Sequence, residues 1–161
     1  MLTTIENVDL GTIKSEMQRL LKDGIRNSEV RALATDITRP KDELASVFDW
    51  VRMNVRYIRD PYLGNGDLFI SPVRQVRNYR EGKQLMGDCD DHALLTAALL
   101  GSIGHKTRIV LLDTDFDNDL DHAIAQAWSD KLGWVNLDAS SSKPLGWAIR
   151  SKVTVYVEPD W

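Results

Sequence analysis

The sequence predicts an α+β domain, with helices first and an antiparallel sheet last. Three observations carry this. Apolar residues recur at helical spacing from Ile13 to Val55, and they alternate with period two from His122 to Asp138. Between the two regions lies an almost continuously apolar stretch that runs to Leu100 and opens at the only cysteine, Cys89.

Taken in order, Ile13, Met17, Leu20 and Leu21 form the apolar stripe of an amphipathic helix that Gly24 ends. Val30, Leu33, Ala34 and Ile37 make a second short helix, entered from Ser28 and stopped before Pro40. A third begins around Pro40, with Asp42 and Glu43 in its first turn and Leu44, Val47, Phe48, Val51 and Val55 on one face. From Asp60 to Gly87, glycines with Pro61 and Pro72 interrupt any sustained period, which reads as a long irregular segment with at most short pieces of structure. Segments of that kind are often functional.

The stretch from Cys89 to Leu100 describes a helix buried on most of its faces, with Asp88 as N-cap and Asp91 at capping-box spacing. Thr107–Leu112 reads as a buried strand, followed by an acidic loop from Asp113 to Asp121. The runs 122–128 and 134–138 pair as a hairpin across 129–133. If Trp128 pairs with Trp134, His122 lies opposite Ser140 with Asp138 one diagonal step away; a turn tighter by two residues puts His122 opposite Asp138. A last strand covers Lys152–Val157.

Composition removes several function classes. With 161 residues and 43% hydrophobic content the chain supports one core, and a net charge of −4 argues against a general nucleic-acid binder. The arginines at 74, 77 and 80 read as a solvated surface. One cysteine forms no internal disulfide and no Cys/His zinc framework. Residues 1–7 lack the pattern of a secretion signal, and no run reaches the ~20 apolar residues of a membrane span. The expectation is a cytoplasmic protein with no nucleic-acid partner, no cofactor and no metal.

Chemistry concentrates at Cys89. The first turn of a helix leaves N–H groups unpaired and favours a thiolate, while Asp88, Asp90 and Asp91 oppose it. A thiol nucleophile needs a base and a group that orients the base, and His122 and Asp138 share a face at one end of the hairpin. His92 lies alongside the helix start rather than above it and is the weaker base; His105 follows a turn and reads as exposed. The alternating aspartates from 113 to 121 begin like a calcium loop. They depart from it at Asn118, where glycine belongs, and at Ile124, where the bidentate glutamate belongs, so the segment reads as a solvated lid.

Gly87-Asp88-Cys89-Asp90-Asp91 opening a buried helix, a glycine turn and strand, His122-Ala123 opening the next strand and Trp134-Val135-Asn136-Leu137-Asp138 on its partner together resemble the transglutaminase-like superfamily. The likeness is greatest to the small stand-alone forms of bacteria and phages, and it runs from about Val47 to Ser140, taking in Val55–Pro61 and Ser71-Pro72. It implies a papain-related fold, and the chain is expected to divide into an N-terminal helical extension at 1–37 and a catalytic domain at 38–161. It also implies Cys89 as nucleophile, His122 as general base and acid, Asp138 as orienter, and an oxyanion donor upstream of the cysteine, with Gln84 and Tyr79 as candidates. The implied activity is hydrolysis or transfer at an amide of a peptide or protein substrate, most simply a cysteine peptidase. A second reading is an assembly component of a phage particle, docked on a protein partner through the amphipathic N-terminal helix.

Overall fold

A computed structural model describes residues 9–59 and 69–159. Residues 60–68, part of the expected irregular segment, and the first residues of the chain lie outside the described residues. Three helices come first: α1 (Leu10–Arg26), α2 (Ser28–Ile37) and α3 (Glu43–Asn54). Asp9 caps α1 through Thr12 N, and Asn27 both ends α1 and caps α2 through Glu29 N and Val30 N. Then follow β1 (Val55–Tyr57), α4 (Pro72–Arg80), β2 (Leu85–Gly87) and α5 (Cys89–Ser102). Four strands end the fold: β3 (Thr107–Leu112), β4 (His122–Ser129), β5 (Gly133–Leu137) and β6 (Thr154–Val157).

Helix α5 is the axis of the core. All of its residues except Gly101 are buried, because α1, α2 and α3 cover one side and the sheet covers the other. The sheet has the order β5-β4-β3-β6 and is antiparallel throughout. Ala123, Ala125 and Ala127 of β4 face the core, and their small side chains let the sheet approach the helix closely. The outward face carries a smaller cluster, Val110, Leu112 and Ile124 against Ile149.

The apolar stripe of α1 is consumed by the same core. Met17 and Leu21 are fully buried beside α5 residues, and burial of each such side chain stabilises the fold by about 1.5–3 kcal/mol. The amphipathic face that suggested a docked partner is therefore covered by the chain itself.

The segment before Gly87 holds more structure than its composition suggests. Ser71 caps α4 through Arg74 N, Pro72 occupies its first turn, and β2 pairs in parallel with β1, setting Val55 against Leu85 and Tyr57 against Gly87. Val55 belongs to that strand rather than to α3, which ends at Asn54. His105, expected exposed, is half-buried, with its Nε2 2.8 Å from Glu43 Oε1. Arg77 and Arg80 lie on the surface as expected and pair with Glu29 and Asp36.

Candidate active site

The site is built where α5 begins and the β4–β5 hairpin ends. Asp88 Oδ1 accepts hydrogen bonds from Asp90 N and Asp91 N, and Asp91 Oδ2 accepts one from Asp88 N, completing a capping box. Asp91 Oδ1 also accepts from Ile70 N at 2.8 Å, which ties the entry of α4 to the same turn. Burial and the neighbouring Asp88 carboxylate push the Asp91 carboxyl well above its ordinary range. The Cys89 N–H is left without a partner among the described residues.

Cys89 is nearly closed from solvent, with 2% of its surface exposed. Burial, with Asp90 and Asp88 adding to it, drives the thiol pKa well above the ordinary value, and a hydrogen bond from Ala123 N only partly offsets this. The direction is the one that Asp88 and Asp90 favour, and burial is the largest cause. The Cys89 Sγ–H points to Asp90 Oδ1 at 3.9 Å. Among the described residues there is no hydrogen bond between Cys89 and His122, although Ala123, whose N–H meets the sulfur, is the next residue in the chain.

His122 and Asp138 do meet. Trp128 pairs with Trp134, so Asp138 stands diagonally from His122, and its Oδ2 lies 2.8 Å from His122 Nε2. That contact leaves Nδ1 without a partner among the described residues. Burial would raise the Asp138 carboxyl, but the hydrogen bond and charge of His122, with the hydroxyls of Ser140 and Ser141, hold it below its ordinary value. Burial would likewise lower His122, and Asp138 with the further charges of Asp121 and Asp90 raises it. The Asp138 turn is braced from behind by Arg52, whose Nη2 donates to the carbonyls of Asp138 and Lys143.

The remaining candidates have other partners. His92 is buried, with Nδ1 2.7 Å from Asp88 O and Nε2 3.2 Å from Val55 O, so it joins β1 to the start of α5. Gln84 Nε2 donates to Asn54 O and Leu85 O, and the Tyr79 ring meets Trp50 edge-on at 5.0 Å. Tyr57, which sequence reasoning passed over, stands at the site instead. The β1–β2 pairing sets it opposite Gly87, and its ring lies 5.9 Å from that of His92. Partial burial, then the charges of Cys89 and Asp88, push the phenol up to about 12, so it stays a proton donor.

In the acidic loop the carboxylates are taken up by the backbone. Asp113 accepts from Asp117 N and Asn118 N, and Asp121 from Thr114 N and Asp115 N. Asn118, where a calcium loop carries glycine, adopts φ 72°, a conformation asparagine tolerates. Asp113, Asp117 and Asp121 each bring an oxygen within 4.8 Å of the others.

A buried helix opening at a cysteine, packed on an antiparallel sheet whose adjacent strands bring histidine and aspartate together, defines a papain-related α+β class. The chain belongs to the transglutaminase-like superfamily, whose family model matches residues 31–139. Two solved structures share the fold. A candidate cysteine protease from Cytophaga hutchinsonii aligns with a TM-score of 0.50 at 20% identity over 90% of this chain and 42% of its own. A candidate protease from Parabacteroides distasonis aligns with a TM-score of 0.57 at 14% identity over 91% of this chain and 31% of its own. The chain thus spans less than half the length of either structure. No curated protein matches it. Among the described residues no helix is long and apolar enough to cross a membrane.

Proposed function

We propose that this chain is a cysteine hydrolase acting on amide bonds, most simply a peptidase, with Cys89 as nucleophile, His122 as base and acid, and Asp138 as orienter. The observation that carries the reading is the 2.8 Å contact between Asp138 Oδ2 and His122 Nε2, which turns Nδ1 loose beside the residue whose N–H meets the Cys89 sulfur. The family membership and the candidate proteases that share the fold support it.

In the resting site the thiol is protonated and faces Asp90. Rotation about the Cα–Cβ bond of Cys89 turns the S–H toward His122 Nδ1, which takes the proton. The thiolate attacks the amide carbon, and the oxyanion is held by the Cys89 N–H and the Tyr57 hydroxyl, a role in which Tyr57 stands ahead of Gln84 and Tyr79. Collapse breaks the C–N bond, and the leaving amine takes the proton from Nδ1. Water, deprotonated by His122, then attacks the thioester and releases the carboxylic acid and the thiol. An amine in place of water gives acyl transfer through the same first half.

The test is digestion of a mixture of capped peptides followed by mass spectrometry. Cys89→Ala should abolish cleavage, and His122→Ala should lower it by about 10²–10⁴. Tyr57→Phe should lower kcat by about 10²–10³ with little change in KM. Cleavage that survives Cys89→Ala would overturn the reading. An added primary amine that appears in the products marks transfer rather than hydrolysis.

A further inference from the structure

A cavity of about 380 Å³ opens between the end of α3 with β1 on one side and the turn after Asp138 on the other. Arg52, Arg56 and Tyr57 line the first wall, Ser140 and Ser141 the second, and no carboxylate lines it among the described residues. Tyr57 pairs with Gly87, two residues before Cys89, and His92, three residues after it on α5, also lines the cavity, so the cavity adjoins the turn that carries the nucleophile.

The sign of charge reverses here. Around the sulfur stand Asp88 and Asp90, whereas the cavity presents guanidinium groups. Arg52 is held by two main-chain carbonyls, which satisfy hydrogen bonds without cancelling its charge, and its buried Nε has no partner among the described residues. Arg56 is exposed and makes no hydrogen bond or ion pair with any described residue. Arg52 and Arg56 have no counter-ion among the described residues, and cations at a concave site are offset most effectively by a carboxylate, which the planar fork of arginine grips in bidentate fashion.

We propose that this cavity is a substrate subsite for a carboxylate, with Arg56 as its counter-ion and Arg52 as the fixed cation of its wall. The inference rests on the hydrolase reading above. When a polypeptide carbonyl reaches Cys89, the carboxylate of a neighbouring Asp or Glu, or of a nearby chain end, enters the cavity beside Tyr57. Ser140 Oγ already donates to Asp138 Oδ1 at 3.0 Å, so an occupant of the subsite also meets the turn that sets the orienting carboxylate.

The test uses the full chain and capped peptide mixtures in which one position is fixed as Glu, Gln, Lys or Leu, together with the Gln mixture bearing a free C-terminus. Cleavage of a carboxylate-bearing mixture about tenfold faster than its Gln counterpart is expected. A preference for the Glu mixture identifies a side chain as the source, and one for the free C-terminus identifies the chain end. Arg56→Gln should erase the preference and Arg56→Glu should shift it to Lys, with melting curves confirming that both variants fold. A preference that is absent, or that survives both variants, overturns the subsite while Cys89-dependent cleavage leaves the hydrolase reading standing. If no mixture is cleaved, the hydrolase reading fails, and rhodamine-labelled Glu and Gln mixtures are titrated onto the Cys89→Ala protein. Tighter binding of the Glu mixture that depends on Arg56 supports the subsite, and equal or absent binding overturns it.

Discussion

At the scale of the residue, Asp90 adds to the burial that restrains Cys89 at rest. Its carboxylate receives the S–H at 3.9 Å and, after burial, contributes most to keeping the thiol protonated. Asp90→Asn removes that charge and should speed labelling by iodoacetamide near neutral pH several-fold over wild type; an unchanged rate would mean that burial alone restrains the sulfur. The His122–Asp138 pair titrates on both sides. His122 is raised, so its stabilisation is complete below its unfolded value of about 6.5 and fades as pH rises through the higher folded value. Asp138 is lowered, so its stabilisation is complete above about 3.9 and is lost as pH falls through the lower folded value. The melting-temperature deficit of Asp138→Asn should therefore be greatest between about pH 4 and 6.5 and shrink on either side. A deficit that is flat with pH would show that the two groups are not ion-paired in the fold. Both residues were legible in the sequence because period-two alternation and the two tryptophans fix which face they share. Tyr57 was not legible, since only the parallel pairing of β1 with β2 sets it opposite Gly87, thirty residues on in the chain and two before Cys89.

At the scale of the element, the start of α5 depends on Gly87. A Cβ there would lie 2.5 Å from Asp91 Cβ and 2.9 Å from Asp91 Oδ2, inside the capping box. Asp91 cannot yield without releasing Asp88 N and Ile70 N, so Gly87→Ala should cost about 1–3 kcal/mol in urea denaturation and displace the first turn that carries the thiol. Wild-type stability in that variant would show that the box has slack. The cap was readable because Asp88 and Asp91 sit three apart before an apolar run. Helix α4 was not, because the face it buries is Pro72, Gln75 and Val76, and a buried glutamine hides the stripe that periodicity detects. Its amide is satisfied instead by Met86 O at 3.0 Å, a partner on β2 that no local pattern reveals. The pair Ser71-Pro72 was the available sign, a cap followed by a first-turn proline. His105 escaped for a similar reason, its partner Glu43 being remote in sequence.

At the scale of the whole molecule, the question is whether the first two helices and the part that carries the site are one cooperative unit. The sequence suggests an extension at 1–37 because the helical stripes there precede the motifs of the site, and stripes alone do not say what covers them. In the fold, Met17, Leu21, Val30 and Leu33 belong to the same core cluster as Leu94 and Leu99 of α5. Gly24 comes so close to Ala98 that an added Cβ would lie 2.8 Å from the alanine methyl, so α1 and α5 meet almost backbone to backbone. A packing seam that tight transmits a local loss of contact to the helix that holds Cys89. Leu21→Ala leaves a cavity against α5 and should destabilise the protein by about 2–5 kcal/mol. With one unit, fluorescence and the exposure of Cys89 to a thiol reagent shift together to lower urea in a single transition. With a separable extension, the variant would lose helicity first while Cys89 stays protected to the wild-type midpoint, and residues 38–161 would then stand as an independent domain.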